Sequence, residues 1–223
     1  MAAARPPARS PARGGASSTR RGYGGLSPEA RRAIRRETLL QTALDAFGSQ
    51  GVGGTSITAL CATSGVAARY FYEEFGSIEG LLLALHDTLI DDCFHTMERA
   101  RSASGGQAPF QQTTALLDAY VGWVAADPRR ARIFVEVVPY AGEILAHRRE
   151  AVQRFARFIE EVTVAMMPVG GVPPPHRYSY LFLVAGVQRT IEEWIADPDR
   201  CPPDDLVREL VFLLDAVHRA ALG

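Results

Sequence analysis

The sequence predicts an all-α protein of about nine helices. Apolar residues recur at three- and four-residue spacing along almost the whole chain after residue 27, which is the period of one helix face. Glycine and proline clusters interrupt this pattern, and no segment alternates apolar and polar residues over a useful strand length. The 223 residues suffice for one small and one medium helical domain, or for a single larger one.

The N-terminal part of the chain is predicted to contain three helices. Ser27 followed by a proline is typical of a helix start, and Gly48 with the glycines after it ends this first helix. Thr55 or Ser56 caps the second helix, and Gly65 ends it because glycine readily adopts the positive φ of a tight interhelical turn. With those that follow, the predicted helices cover about residues 28–47, 57–64, 67–75, 78–101, 110–126, 128–138, 141–167, 176–196 and 203–222.

Residues 1–27 are predicted to be a disordered, Arg-rich arm, since their composition has no apolar period and cannot bury a core. Residues 1–36 carry a net charge of +8, whereas the rest of the chain carries −9. A basic N-terminal segment on an otherwise acidic chain suits a polyanionic partner that contacts only that segment. All 24 basic residues are Arg, so a solvated tail with a general compositional bias is the alternative.

Several classes of protein are disfavoured. The three cysteines are widely spaced without a CxxC pair, which argues against a zinc site or a disulfide framework. The N-terminus has no signal-like apolar stretch, and the longest apolar runs are too short to span a membrane, so we expect a cytoplasmic bacterial protein. No GxSxG, P-loop or HExxH motif occurs, so we expect neither an enzyme with catalytic residues nor a cofactor.

One group of residues on the fourth predicted helix could be read as a metal site. Ordinary polar residues at the surface or between domains explain the group more simply, so no metal is expected. The group consists of His86, Asp87, Asp91 and His95.

Three segments in the N-terminal third share a recognisable spacing. They read TSITALC at 55–61, SGVAARYFYEEF at 64–75 and SIEGLL at 77–82. Together they resemble the DNA-binding signature of the TetR family of transcriptional regulators, over about residues 30–86. The resemblance implies a helix-turn-helix DNA-binding domain at 28–76 and a ligand-binding and dimerisation domain at 77–223.

The function implied by this resemblance is DNA-binding transcriptional regulation. We expect a homodimer that binds a palindromic double-stranded operator, acts as a repressor and responds to an unknown small-molecule effector. Ligand would favour a conformer whose recognition helices no longer match the operator, with the change transmitted through the fourth helix. The alternative is a helical ligand- or protein-binding dimer that has lost specific DNA binding.

A helix-turn-helix presents its second helix to the major groove. Packing is expected to use Val66, Phe71 and Phe75, so that the other face of the third helix points outward. By resemblance, hydroxyls of the two short helices contact phosphates, the third helix reads base edges, and small residues allow its N-terminus to approach the DNA backbone. The expected DNA-contacting residues are Thr55, Ser56, Ala67, Ala68, Arg69, Tyr70, Tyr72, Glu73, Arg20, Arg21, Arg31 and Arg35.

Two departures from the family pattern bear on DNA affinity. Ile78 stands where the family usually has Lys, and Glu73 and Glu74 place two carboxylates on the recognition helix. Carboxylates near phosphates are unfavourable unless Arg69 pairs with Glu73 or an acid accepts from cytosine N4. We expect arginines of the arm and of the first helix to restore affinity, namely Arg20, Arg21, Arg31, Arg32, Arg35 and Arg36.

The last two predicted helices carry apolar stripes with small residues that allow close approach. By resemblance they form the dimer interface; packing within one chain is the alternative. The expected interface residues are Leu181, Ala185, Gly186, Leu206, Leu210, Leu213 and Val217. An effector pocket of apolar and aromatic character is expected among the middle helices, although such stripes are also typical of plain core. Its candidate residues are Tyr120, Trp123, Phe134, His147, Phe155, Met166, Tyr178 and Gln188.

Overall fold

The fold is taken from a computed structural model, which describes residues 27–136, 143–166, 177–197 and 199–222 of the chain. Within these ranges every regular element is helical, which confirms the predicted all-α class of about nine helices. The helices are α1 (Pro28–Gln50), α2 (Ile57–Ser64), α3 (Ala68–Phe75), α4 (Ile78–Ala103), α5 (Pro109–Ala126), α6 (Pro128–Glu136), α7 (Glu143–Met166), α8 (Arg177–Ala196) and α9 (Pro203–Leu222), with a 3-10 turn at Val52–Gly54.

Serine side chains cap the first helices of the chain. Ser27 Oγ accepts from the Ala30 amide at 3.1 Å at the start of α1. Of the two candidates for α2, Ser56 is the cap, because its Oγ accepts from the Ala59 amide at 3.2 Å. The Thr55 hydroxyl instead donates to the Gly51 carbonyl at 2.9 Å, which closes the preceding glycine turn. These caps satisfy amides that the helix itself leaves without acceptors.

The end of α1 differs from the sequence prediction. The helix continues through Gly48 to Gln50, so the prediction that Gly48 ends it was wrong. The reason is a tertiary contact: α6 packs against α1 at this point, and a Cβ on Gly48 would lie only 2.5 Å from the Cβ of Arg129. Gly48 therefore permits close approach of two helices rather than a helix end.

One continuous core joins the N-terminal helices to the rest of the fold. Phe47 of α1 and Phe71 of α3 are fully buried at the N-terminal end. Leu81 and Leu89 on α4 extend the same apolar cluster toward α5 and α9, where Val211 is among the buried residues. Because α4 contributes to the core along its length, it connects the short helices rigidly to the helical bundle. None of the helices in the described ranges is long and apolar enough to cross a membrane.

Candidate DNA-binding surface and effector region

The turn between α2 and α3 has the geometry of a helix-turn-helix. Gly65 adopts a left-handed conformation with φ of 69°, and Val66 next to it is buried. Phe71 anchors α3 in the core, whereas Phe75 lies half-buried at its edge. The turn and its apolar anchors thus hold α3 so that one face packs on the protein and the other faces solvent.

The outward face of α3 contains most of the side chains expected to meet DNA. Arg69, Tyr72 and Glu73 are exposed, and Tyr72 has 55% of its surface accessible. Ala67 and Ala68 are exposed at the N-terminal end of the helix, where Ala67 provides no side-chain cap. A helix N-terminus without a side-chain acceptor leaves backbone amides that can donate hydrogen bonds to a phosphate.

Tyr70 occupies a different environment from its neighbours on α3. Its ring is half-buried against the core, with the Arg35 guanidinium 4.0 Å and the Arg69 guanidinium 4.5 Å from the ring centroid. The Tyr70 hydroxyl accepts from Nη2 of Arg69 at 2.5 Å. Tyr70 therefore packs α3 against α1 through cation–π contacts, a role that the expected base contact did not include.

Glu74 faces α1 and is bound by two arginines. Its Oε2 accepts from Nε of Arg32 at 2.7 Å, and its Oε1 accepts from Nη1 of Arg36 at 3.1 Å. Only 12% of the Glu74 side chain is exposed. The hydrogen bond from Arg32, with the bond and charge of Arg36, lowers the pKa of Glu74 despite its burial. A pairing of Arg69 with Glu73 was one way to offset these carboxylates; in the structure Glu74 instead binds α1, and Arg69 binds the Tyr70 hydroxyl.

A small cavity lies between α1 and α3 beside these contacts. Its volume is about 160 Å³. Its lining residues are Arg32, Arg35, Arg36, Leu39, Tyr70, Glu73 and Glu74. The cavity belongs to the DNA-binding end of the protein and not to the expected effector region.

The remaining expected DNA contacts are divided between solvent and core. Arg31 is exposed on α1, whereas Arg20 and Arg21 lie outside the described residues. Ser56 is exposed and Thr55 is half-buried. Ile78 packs at the edge of the core, so the position where a family Lys would contact phosphate is apolar and turned inward.

The middle helices bring together an aromatic cluster from α4, α5 and α7. Phe155 stacks on Phe94 with ring centroids 4.3 Å apart and lies 6.1 Å from Tyr120. Phe158 meets Phe94 edge-on at 5.6 Å. Burial, with smaller effects of Cys93 and Glu192, raises the pKa of the Tyr120 hydroxyl. Of the expected effector residues, Tyr120 and Phe155 thus lie in one cluster, and Phe94, which was not among the candidates, joins them.

Trp123 belongs to a hydrogen-bonded network beside this cluster. Its indole Nε1 donates to Oδ2 of Asp92 at 2.7 Å, and the Arg130 guanidinium lies 4.7 Å from the ring centroid. Arg130 also donates from Nη1 to the Trp123 carbonyl at 3.0 Å. Because these bonds join α4, α5 and α6, Trp123 links three helices as well as bordering the region where an effector was expected.

The other expected effector residues are dispersed. Nε2 of His147 lies 2.8 Å from Oδ1 of Asp87, and Gln188 donates to Glu192 at 3.3 Å. Tyr178 is 60% exposed near the start of α8. The side chains of Phe134 and Met166 lie outside the described residues.

The polar residues of α4 that could be read as a metal site have separate partners. Asp91 binds Nη1 of Arg154 at 2.6 Å, and Asp87 lies against His147. Nδ1 of His95 is 2.7 Å from the Asp91 carbonyl. Among the residues that the structure describes, no cluster of three or more His, Cys, Asp or Glu side chains is arranged to hold a metal ion.

The apolar faces of α8 and α9 differ from those expected for dimerisation. Leu206 and Leu210 are buried within the chain, where α9 packs against α5, so their assignment to an interface between subunits needs correction. The apolar side chains that do face solvent include Phe182, which is 71% exposed, Phe212, which is 60% exposed, and Leu213.

Two of the remaining expected interface residues are exposed on α8. Ala185 and Gly186 share the solvent-facing side of α8 with Phe182, whereas Leu181 is half-buried and the Val217 side chain lies outside the described residues. The i, i+3 and i+4 spacing of Phe182 with Ala185 and Gly186 was the sequence signal that could have identified this face.

An exposed short helix that follows a glycine turn and is anchored by apolar side chains has the arrangement of a helix-turn-helix. Residues 39–85 match the family model described as bacterial regulatory proteins of the tetR family. The match covers the helix-turn-helix described above, where the N-terminal sequence predicts a TetR-family DNA-binding segment. No protein of curated function matches it by sequence.

Solved structures of regulators have a similar fold over 80–82% of this chain. A TetR-like transcriptional regulator from Rhodococcus sp. RHA1 is 16% identical with a TM-score of 0.59, over 82% of this chain and 97% of that one. The regulator FadR from Bacillus subtilis, solved with stearoyl-CoA, is 13% identical with a TM-score of 0.65, over 80% and 96%. AibR, solved with isovaleryl coenzyme A and operator DNA, is 20% identical with a TM-score of 0.60, over 80% and 97%. At these identities the likeness establishes the fold.

Proposed function

We propose that this protein is a ligand-responsive repressor that binds a palindromic operator as a homodimer in the bacterial cytoplasm, without enzymatic activity. The observation that carries the proposal is the exposed face of α3, where Arg69 and Tyr72 are presented beside an uncapped helix N-terminus. Arginine suits the O6 and N7 acceptors of guanine, and the tyrosine hydroxyl suits a phosphate. Arg31 on α1 adds an exposed positive charge on the same domain.

The proposal of a dimer is supported by the apolar side chains on α8 and α9. Phe182 and Phe212 expose large aromatic surfaces to solvent, which is unfavourable unless another surface covers them. Two recognition helices on one duplex must also enter successive major grooves about 34–36 Å apart, and a symmetric dimer meets this requirement. We therefore propose that a second copy of the chain covers these exposed side chains of α8 and α9.

The proposed effector is an apolar, acyl-type molecule. The aromatic cluster of Phe94, Tyr120 and Phe155 offers the rings against which an acyl chain packs. FadR and AibR of the same fold were solved with acyl coenzyme A molecules. Effector binding near Trp123 would act through α4 and α6, which both contact the N-terminal helices.

Selection of bound sequences from fragmented bacterial genomic DNA tests the DNA-binding part of the proposal. We expect an enriched palindrome whose half-site centres are about one helical turn apart, and protection of that site in footprinting. Arg69→Ala should lose discrimination at a guanine, whereas Arg99→Ala, an exposed arginine on α4, should bind as the wild type does. If selection at low salt yields no palindrome, the alternative of a dimer without specific DNA binding is favoured.

Release from the selected site tests the effector. Titration with short- and long-chain acyl coenzyme A, and with coenzyme A alone, should weaken operator binding only for the acylated molecules. Phe155→Ala should shift the required concentration upward, because it removes the central ring of the cluster. Equal responses to coenzyme A and its acyl derivatives would contradict an acyl site, and the absence of any release would contradict an acyl effector.

A further inference from the structure

Glu74 and its two arginines form an ionic clamp between α1 and α3. Arg32 and Arg36 are one turn apart on α1, and each binds a different oxygen of the same carboxylate. A carboxylate whose two oxygens are held by two guanidinium groups has little freedom to rotate. The clamp consists of Arg32, Arg36 and Glu74.

The clamp acts on a helix that has few other fixed points. α3 contains eight residues, and Phe71 is its one fully buried side chain. Tyr70 and Phe75 pack only partly against the core, and a helix of this length has little stability of its own. Tyr70, held beneath Arg35, restrains the N-terminal half of α3, and Glu74 restrains the C-terminal half.

Rotation of α3 would change the direction of the side chains that face DNA. Arg69 and Tyr72 lie on the exposed side of the same two turns that Tyr70 and Glu74 fix from the inside. Readout of base edges depends on the exact position and orientation of the side chain that makes the hydrogen bond. Attraction to phosphates depends mainly on charge. A loss of restraint would therefore reduce specific binding more than non-specific binding.

We propose that Glu74 is a positioning residue for operator recognition: it fixes the orientation of α3 through Arg32 and Arg36, and does not act as a repulsive charge at the DNA surface. The inference rests on the proposed operator binding. The lowered pKa of Glu74 means that the carboxylate is ionised at neutral pH, as the clamp requires.

Substitution Glu74→Gln separates positioning from repulsion because the two roles predict opposite signs. If Glu74 only repels DNA, its neutralisation strengthens binding to every sequence. If it positions α3, neutralisation frees Arg32 and Arg36 for phosphates, so non-specific binding strengthens while operator binding weakens. We expect the ratio of specific to non-specific affinity to fall about tenfold, the size of effect typical of a hydrogen bond to a charged group.

The control is Glu37→Gln, which removes an exposed carboxylate from α1 next to Arg36 and is not among the expected DNA contacts. It should alter the affinity for all DNA in parallel and leave the ratio within about twofold of the wild type, since only screening of phosphate attraction changes. Arg36→Gln should lower the ratio as Glu74→Gln does, and the double variant should lower it no further than either single variant. An unchanged or increased ratio in Glu74→Gln would overturn the proposal.

Amide hydrogen exchange of residues 68–75 in the full chain provides a readout that does not depend on an operator. Glu74→Gln should speed exchange in α3 at least several-fold relative to Glu37→Gln, while α5 remains protected as in the wild type. Equal protection of α3 in both variants would refute positioning even where no operator is found. If selection yields no site but exchange in α3 is faster in Glu74→Gln than in the control, operator binding is refuted, while the positioning of α3 by Glu74 is supported. Should Glu74→Gln fail to fold, Arg36→Gln provides the same comparison.

Discussion

Arg129 on α6 binds Asp45 on α1, which connects the helical bundle to the DNA-binding end of the protein. The same guanidinium binds both oxygens of Asp127 at 2.7 and 2.8 Å, so that the side chain is held firmly at the start of α6. Arg132, one turn later, donates from Nη1 to the Gly48 and Ser49 carbonyls at 3.3 Å. These bonds satisfy carbonyls at the end of α1, to which no amide of the helix itself donates.

The close approach of α1 and α6 at Gly48 leads to a prediction about stability. Gly48→Ala places a Cβ 2.5 Å from the Cβ and 3.2 Å from the Cα of Arg129, so α6 must shift. We expect the free energy of unfolding to fall by about 1–3 kcal/mol, as is typical of overpacking, despite the better helix propensity of alanine. Denaturant titration followed by circular dichroism measures the change.

Gly122→Ala is the matched control for Gly48→Ala. Gly122 is also helical, but nothing lies within 4 Å of the Cβ it would gain. This substitution should raise the free energy of unfolding by roughly 0.5–1 kcal/mol, the usual difference between glycine and alanine in a helix. If both substitutions stabilise the protein equally, α6 does not pack on α1 as closely as the structure indicates.

The scaffold of the DNA-binding surface was predictable because its signals are local. Ser27, Ser56 and Gly65 act through neighbouring amides and their own φ, so their roles are evident from a few adjacent residues. Glu74 was not predictable in this way, since its partners Arg32 and Arg36 lie about forty residues earlier and meet it only after α1 packs on α3. Sequence periodicity indicated the helices but not which of them approach one another.

The faces of α9 illustrate a second limit of sequence patterns. Leu210 and Leu213 are both apolar at helical spacing, yet Leu210 is buried against α5 and Leu213 is 48% exposed. An apolar stripe wider than one contact surface predicts burial without indicating which part packs inside the chain and which part meets a partner. Gly48 shows the same limit, because a glycine that ends a helix and one that admits a neighbouring helix look alike in the sequence.

The exposed aromatic face of α8 predicts a change in oligomeric state. Phe182→Asp should convert a dimer to a monomer of about 24.2 kDa, because a carboxylate buried in an apolar interface costs several kcal/mol. Sedimentation velocity measures the mass, and operator affinity should fall with it. The control is Phe110→Asp, since Phe110 is 54% exposed and lies on α5 rather than on α8. If Phe182→Asp sediments as the wild type does, α8 does not form the interface.

The three cysteines should react with a thiol reagent at very different rates. Burial raises the pKa of the Cys93 thiol to about 12 and also raises the pKa of Cys61, whereas Cys201 is exposed. The reactive species is the thiolate, so Cys93 is almost entirely in the unreactive thiol form at pH 8. Titration of the folded protein with Ellman's reagent should show one fast thiol, which Cys201→Ser removes, and all three should react in guanidinium. A fast thiol that remains in Cys201→Ser would mean that α2, which contains Cys61, or α4, which contains Cys93, opens readily.

The lowered pKa of Glu74 predicts a dependence of stability on pH. A carboxyl group whose pKa is lower in the folded than in the unfolded state stabilises the fold above its unfolded value, here about 4.5. This contribution is lost as the pH falls through the lowered pKa of the folded state, where protonation breaks the bonds from Arg32 and Arg36. Thermal unfolding of the wild type and of Glu74→Gln should therefore differ most at neutral pH and converge as the pH falls from about 4.5 through the lowered pKa of the folded state. A difference in Tm that stays constant between pH 7 and pH 3 would show that ionisation of Glu74 does not stabilise the contact between α1 and α3.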